Sequence, residues 1–223
     1  MSETQFPITA EQYCKYFDGF FFDFDGVIVE SNEIKDEAFR EIFKRNPETF
    51  DTAWFYHKRH NTIPRGEKFK FYCKEIRKLD DYERQSEILA SEFRSVTLER
   101  IILCPEIPGA KRFLDVIKNT NKPAWISSAT PTTDLEEIVE RRHLTKYFKK
   151  VLGAPTIKEN NLKDFIEINR FDPEKVCYFG DSIEDYKAAK SQNVTFVAIP
   201  GVHNFTDYPI QIIRNFREIL EPE

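Results

Sequence analysis

Four short apolar runs punctuate the chain, and each stops abruptly at a polar or glycine-containing turn. Residues 19–24 (GFFFDF) stop at Asp25-Gly26, and residues 123–127 (PAWIS) run into Ser-Ala-Thr-Pro. Residues 175–179 (KVCYF) end in Gly180-Asp181-Ser182, and residues 194–199 (VTFVAI) end at Pro200-Gly201. Runs this short predict buried strands rather than helices. Residues 150–152 predict a weaker strand before Gly153. Between the strands the period changes. Residues 109–119 place Ala110, Phe113, Leu114 and Ile117 on one face, and residues 132–142 do the same with Leu135, Ile138 and Val139. Thr132-Thr133-Asp134-Leu135-Glu136 predicts a helix start with a side-chain cap, as does Ser182-Ile183-Glu184-Asp185. Strands alternating with helices predict an α/β fold: a Rossmann-like parallel sheet with helices on both faces. Ligands of such sheets bind beyond the carboxyl ends of the strands.

The alternation is interrupted once. Residues 33–45, 65–78 and 82–102 read as helices rich in Phe, Lys and Glu, with no strand among them. Cys104-Pro105-Glu106-Ile107-Pro108-Gly109 then reads as a hinge back into the strand–helix pattern. The predicted organisation is a core of residues 1–30 and 105–223 with a helical insertion, residues 31–104. Residues 209–223 are expected to add a last strand and helix.

Three of the predicted strands end in residues suited to phosphate or a metal ion. Asp23 and Asp25 are two apart at a strand end, so both carboxylates can approach one site. Clustered carboxylates resist joint ionisation without a cation, which makes Mg²⁺ a natural occupant. The first could attack phosphorus and the second could protonate a leaving oxygen. Read blandly, the pair merely ends a strand. Asp181 and Asp185 follow another strand at a spacing of one helical turn, suiting a hard cation, or else a helix start with acidic first-turn residues. Glu184 fits the second description and is left out of the site. Ser127 and Ser128 could hold phosphoryl oxygens or only shape a turn. Lys158 could neutralise charge there, with Lys163 as its competitor.

Composition narrows the function classes. The 223 residues, 40% hydrophobic, suffice for a core without disulfides. Cys14, Cys73, Cys104 and Cys177 are far apart, so neither disulfides nor a zinc site are expected, and the cytoplasm is the expected compartment. The four histidines have no metal-ligand pattern beyond the chance spacing of His57 and His60. Against 38 acidic residues stand 33 basic ones, a net charge of −5, which argues against nucleic acid as a partner. No apolar run approaches the roughly 20 residues of a membrane span. Residues 1–7 have neither a basic start nor an apolar stretch, so no secretory leader is expected.

Taken together and in this order, DFDGV, the strand-borne Ser, the downstream Lys and GDSxxD resemble the four motifs of the haloacid dehalogenase superfamily. The match covers residues 20–31 and 105–201, and the insertion matches in position and helicity. The resemblance implies a phosphohydrolase with Asp23 as nucleophile and Asp25 as general acid and then base. It implies Mg²⁺ held by the side chains of Asp23 and Asp181 and the main-chain carbonyl of Asp25, with Asp185 on the metal or its waters. It favours Ser128 over Ser127, because Ser128-Ala129-Thr130 resembles the Ser-small-Ser/Thr turn, and Lys158 over Lys163, because Lys158 precedes the next helix. The dehalogenases of the superfamily lack the second aspartate, so Asp25 implies phosphoryl transfer. Glu30 is a departure, since relatives often have Asp there.

The insertion resembles the superfamily's helical cap, which closes over the site. Its segment His57, Lys58, His60, Asn61, Arg65, Gly66 and Lys68 is the expected substrate contact, with Arg65 and Lys68 foremost, although a salt-bridged Arg65 in a solvated loop is the blander reading. The cap aromatics Phe39, Phe43, Trp54, Phe55, Phe69, Phe71 and Phe93 are expected to pack as a core. A loose likeness to phosphatases of surface-polysaccharide and nucleotide-sugar pathways places a sugar phosphate first among substrates and phosphoglycolate second. The alternatives are a phosphomutase of the β-phosphoglucomutase type, a phosphonate hydrolase using Lys35 or Lys58 as an amine, and a non-catalytic protein of the same fold. A monomer or homodimer is expected.

Overall fold

The computed structural model describes residues 8–201 and 203–221. Residues 1–7, on which the leader expectation rests, lie outside them. A seven-residue helix, α1 (Ala10–Tyr16), opens the described chain. It is capped by Thr9, whose hydroxyl accepts from Gln12 N while the Gln12 side chain returns the bond. The short strand β1 (Gly19–Phe22) follows and becomes the centre of the molecule.

The sheet has six parallel strands in the order β3-β2-β1-β4-β5-β6. The others are β2 (Ala124–Pro131), β3 (Lys150–Ala154), β4 (Val176–Gly180), β5 (Thr195–Ala198) and the two-residue β6 (Gln211–Ile212). Phe20, Phe21 and Phe22 are fully buried and show how one strand serves two layers. Phe20 and Phe22 join a cluster with α1 and with α6 (Ala110–Asn119), while Phe21 packs on the opposite face with Phe165 of α8 (Lys158–Asn169). Side chains that alternate across a strand buried on both faces require this division. Helices α7 (Thr132–Arg141) and α10 (Arg217–Leu220) complete the first face, and α9 (Ile183–Ser191) the second. No helix among the described residues is long and apolar enough to cross a membrane.

The insertion is helical throughout, with one helix more than its periodicity suggested. It runs α2 (Asn32–Lys44), α3 (Pro47–Arg59), α4 (Arg65–Phe71) and α5 (Tyr82–Leu103). Helix α3 starts with Pro at its first turn, a recognised start signal. It buries only Ala53 and His57 fully, too thin a stripe to announce itself. The predicted helix 65–78 is not continuous: after Phe71 it widens into a π-helical turn (Tyr72–Ile76) and stops at Lys78, whose φ is 55°. Phe39, Phe43, Phe69 and Phe93 form a cluster separate from the two around the sheet, whereas Phe55 is 61% exposed and packs on nothing of that core.

Two local expectations need correction. Strand β2 continues through Ser128-Ala129-Thr130 to Pro131, with its register against β3 broken between Ser127 and Pro131. Helix α7 has no side-chain cap, because its N-cap residue is Pro131, which offers no side-chain acceptor, while the Thr132 hydroxyl is engaged with β3, donating to Ala154 O and accepting from Gly153 N.

Candidate active site

The carboxyl ends of four adjacent strands, β3, β2, β1 and β4, converge on one cavity of about 460 Å³. That volume lies within the ~300–1,000 Å³ typical of small-molecule sites. Asp23 follows β1, and Gly26 turns the chain sharply at φ 76°, where a Cβ would overlap the side chains of Asn32 and Asp181. Asp181 follows β4, Ser128 lies on β2, and Lys158 opens α8 after β3. The core residues favoured in the sequence, Asp23, Asp25, Ser128, Lys158 and Asp181, therefore meet at the carboxyl end of the sheet.

Lys158 is the hub. Its ammonium lies 2.9 Å from Asp23 Oδ1 and 2.7 Å from Asp185 Oδ1. Both anions hold the ammonium well above the ordinary lysine range, against the opposing effect of burial. Lys163 points elsewhere, toward Glu167 on an exposed face. Asp23, Asp181 and Asp185 are buried and offer oxygens that all lie within 4.8 Å of one another. Burial, then mutual repulsion, raises the carboxyls of Asp23 and Asp181, while Lys158 opposes the rise. One ammonium does not balance three carboxylates in a dry site, so this set of hard oxygen donors suits a divalent cation. Asp185 is the most committed of the three. Its Oδ1 accepts from Lys158 and the Tyr178 hydroxyl, and its Oδ2 from the main chain and hydroxyl of Ser182 in a capping box that starts α9.

Asp25 has a different environment. Burial alone would raise its carboxyl, but the Lys35 ammonium, with hydrogen bonds from Lys35, Ser31 and Ser128, holds it below the usual carboxylate range. Lys35 Nζ is 2.5 Å from Asp25 Oδ2 and donates to Thr130 Oγ1 at 2.7 Å. Ser128 and Thr130 donate to the same oxygen at 3.0 and 3.1 Å, and Ser31 donates to Oδ1 at 2.6 Å. Ser127 is turned away and accepts from Asn161. Sequence reasoning missed what Lys35, Ser31 and Asn32 do here. Ser31 and Lys35 are four apart at the start of α2, one turn of helix, and that spacing was the available signal. Asn32, which donates to Asp181 Oδ2 at 2.7 Å, carried none.

The insertion walls the rest of the cavity, and both of its favoured residues line it. Arg65 is not in a solvated loop. It is the first residue of α4, and its Nη1 lies 2.6 Å from Asp134 Oδ2 of α7, both side chains being largely buried. Arg94 of α5 holds the other oxygen of Asp134 at 2.9 Å, so one core carboxylate ties two inserted helices. Lys68 is 3% exposed, and its ammonium donates to His57 Nδ1 and to the Asn61 carbonyl. Lys58 pairs with Asp36 at 2.6 Å rather than reaching the carboxylates of the core.

Comparison with known proteins agrees with this geometry. Residues 20–199 match the family described as haloacid dehalogenase-like hydrolase. A phosphorylated carbohydrates phosphatase of Thermotoga maritima is 26% identical over 210 residues, covering 91% of this chain and 93% of the relative. Among solved structures, β-phosphoglucomutase from Clostridium difficile aligns at a TM-score of 0.68 and 15% identity, over 92% of this chain and 94% of its own. CbbY from Rhodobacter sphaeroides, in complex with phosphate, aligns at 0.67 and 16%, over 91% and 96%. At such identities the two structures establish the shared fold alone.

Proposed function

Because the chain belongs to the haloacid dehalogenase-like hydrolase family, we propose that it is a magnesium-dependent phosphatase acting on a small phosphate monoester through an aspartyl-phosphate at Asp23. A phosphorylated carbohydrate or a close relative is the favoured substrate, in keeping with the name of the Thermotoga maritima relative. The observation that carries this reading is the pairing of two differently tuned aspartates. Asp23 is bound to Lys158, and Asp25, two residues on, is bound to Lys35, Ser128 and Thr130.

The Asp23 carboxylate attacks phosphorus, with Lys158 and Ser128 beside the phosphoryl oxygens. The bond to the leaving oxygen breaks, and that oxygen takes a proton from Asp25 Oδ2, for which Lys35 Nζ is the adjacent donor. Water then gives a proton to Asp25, which passes it back to Lys35, and attacks the phosphorus of the aspartyl-phosphate, which releases phosphate and restores Asp23. The low carboxyl of Asp25 is already in the form that accepts this second proton. Mg²⁺ on Asp23, Asp181 and the Asp25 carbonyl, with Asp185 behind them, would neutralise the carboxylates and the phosphoryl charge. The inserted helices act as a cap, residues 31–104 over a core of residues 1–30 and 105–223, and exclude water from the cavity.

Phosphate release from a panel of sugar phosphates and phosphoglycolate, with and without chelator, tests the proposal. Asp23→Asn is expected to lower release by roughly 10⁴-fold or more. Equal release by the variant and the parent removes Asp23 as nucleophile. Exchange of phosphate between sugar positions without net release would make the protein a mutase instead.

A further inference from the structure

Most cations around the cavity have a carboxylate of their own. Lys35 sits on Asp25, Lys158 on Asp23 and Asp185, Arg65 on Asp134, and Lys58 on Asp36. Lys68 is the exception. Its buried ammonium has three N–H donors and two protein acceptors, His57 Nδ1 at 3.1 Å and Asn61 O at 3.0 Å, over the face of Phe39 at 4.9 Å. Neither acceptor carries charge. His57 uses Nε2 on Asp36 at 2.8 Å, and burial holds the ring below the usual histidine range, so the neutral tautomer donates to Asp36 and accepts from Lys68. A second group nearby is also unfulfilled: Asn61 Oδ1 is buried with no hydrogen-bond partner. Buried charges in folded proteins are normally paired, and truncated or missing partners are costly. Lys68 nevertheless lines the same cavity as Asp23 and Asp25, on the wall formed by the insertion.

We propose that Lys68 is the counter-charge for an anionic group on the leaving portion of the substrate, a carboxylate or a second phosphate. The substrate class is then a phosphorylated sugar acid or a sugar bisphosphate rather than a neutral sugar phosphate. This rests on the phosphatase reading above. The environment of Lys68 agrees with it. Burial, helped by Lys35, lowers the ammonium to about 7, with Asp36 opposing and Lys58 adding. Lys35 and Asp36 stand on α2 and His57 and Lys58 on α3, while Phe93 of α5 lines the same cavity. An arriving anion would restore the charged form, so binding above neutral pH takes up a proton.

Three open-chain esters that differ only at the far end test this: sorbitol 6-phosphate, 6-phosphogluconate and sorbitol 1,6-bisphosphate. Calorimetry with the Asp23→Asn protein is expected to show the anionic-ended esters binding about tenfold or more tighter than the neutral one. Lys68→Met in that background is expected to abolish the difference while leaving sorbitol 6-phosphate within about twofold. Titration at pH 8 in buffers of differing ionisation enthalpy should show proton uptake that Lys68→Met loses. Lys68→Gln serves if the Met variant melts early, and the three-ester comparison needs no substitution at Lys68. Whichever anionic end binds tighter identifies the carboxylate or the phosphate as the source. Equal affinity for all three, no binding of any, or a Lys68 substitution that weakens all three alike overturns the proposal. Discrimination in binding without phosphate release by the unsubstituted protein would instead sink the phosphatase reading and leave the anion site standing.

Discussion

The two walls of the cavity are built on opposite plans. The core wall is mainly acidic and short-armed: Asp23, Asp25 and Asp181 stand just past strand ends and Asp185 in the first turn of α9, with Lys158 as the cation that the core sets among them. The inserted wall is basic and long-armed: Lys35, Arg65 and Lys68 reach in from helices whose own core of Phe39, Phe43, Phe69 and Phe93 is separate from that of the sheet. Adjacent strands fix their ends to within a hydrogen-bond register, which suits groups that must meet a reacting atom. Long side chains on a separately packed unit suit groups that must meet varied leaving groups and be withdrawn. On the proposed reading the core wall carries the chemistry and the inserted wall, Lys35 apart, the selectivity.

The sharpest way to break that contrast is to damage the core wall alone. Lys158→Met leaves Asp23 and Asp185 without their shared cation and should lower kcat by roughly 10²–10³-fold, with KM changing far less. A comparable rise in KM alone would place Lys158 with the selectivity groups. Lys35→Met probes the one residue that crosses between the walls. Without the ammonium the Asp25 carboxyl loses its main stabilising partner and burial raises it, so the acid-side limb of the pH–rate profile should move to higher pH. A loss of kcat of roughly 10–10²-fold should accompany the shift. An unmoved limb would show that Lys35 does not tune Asp25. The smallest effect is expected from Arg65→Gln, which leaves Asp134 with Arg94 alone. Urea denaturation should show a loss of about 1–3 kcal/mol, and substrates should share a modest rise in KM. An unchanged midpoint would mean that the Arg65–Asp134 pair does not hold the insertion on the core.

The core wall was legible in the sequence because its signals are local. An apolar run that stops at Asp-Phe-Asp-Gly or Gly-Asp-Ser specifies both the strand and the edge at which its carboxylates emerge. Ser128 and Lys158 were legible only in company, since a Ser pair before a Pro or one Lys among many says little alone. The inserted wall resisted for the converse reason. Lys35 surfaced only as an amine for a different reaction, and its contact with Asp25 depends on how α2 is rotated over the sheet. Arg65 was read as exposed or substrate-facing, and nothing near it in the chain announces Asp134, 69 residues away. Helix α3 escaped because its aromatic run lacks a clear apolar stripe, and with it went the His57–Lys68 contact that only helix packing creates.

Asp185 closes a route that proteins usually keep open. Residues that serve catalysis are commonly a burden on the fold, so a substitution there can gain stability while activity falls. Here one carboxylate both starts a helix, through Ser182, and orients the active-site lysine, through its other oxygen. Removing it takes the cap from the start of α9 and leaves Lys158 with Asp23 alone. A substitution of Asp185 is therefore expected to lower stability and activity together rather than trade one for the other.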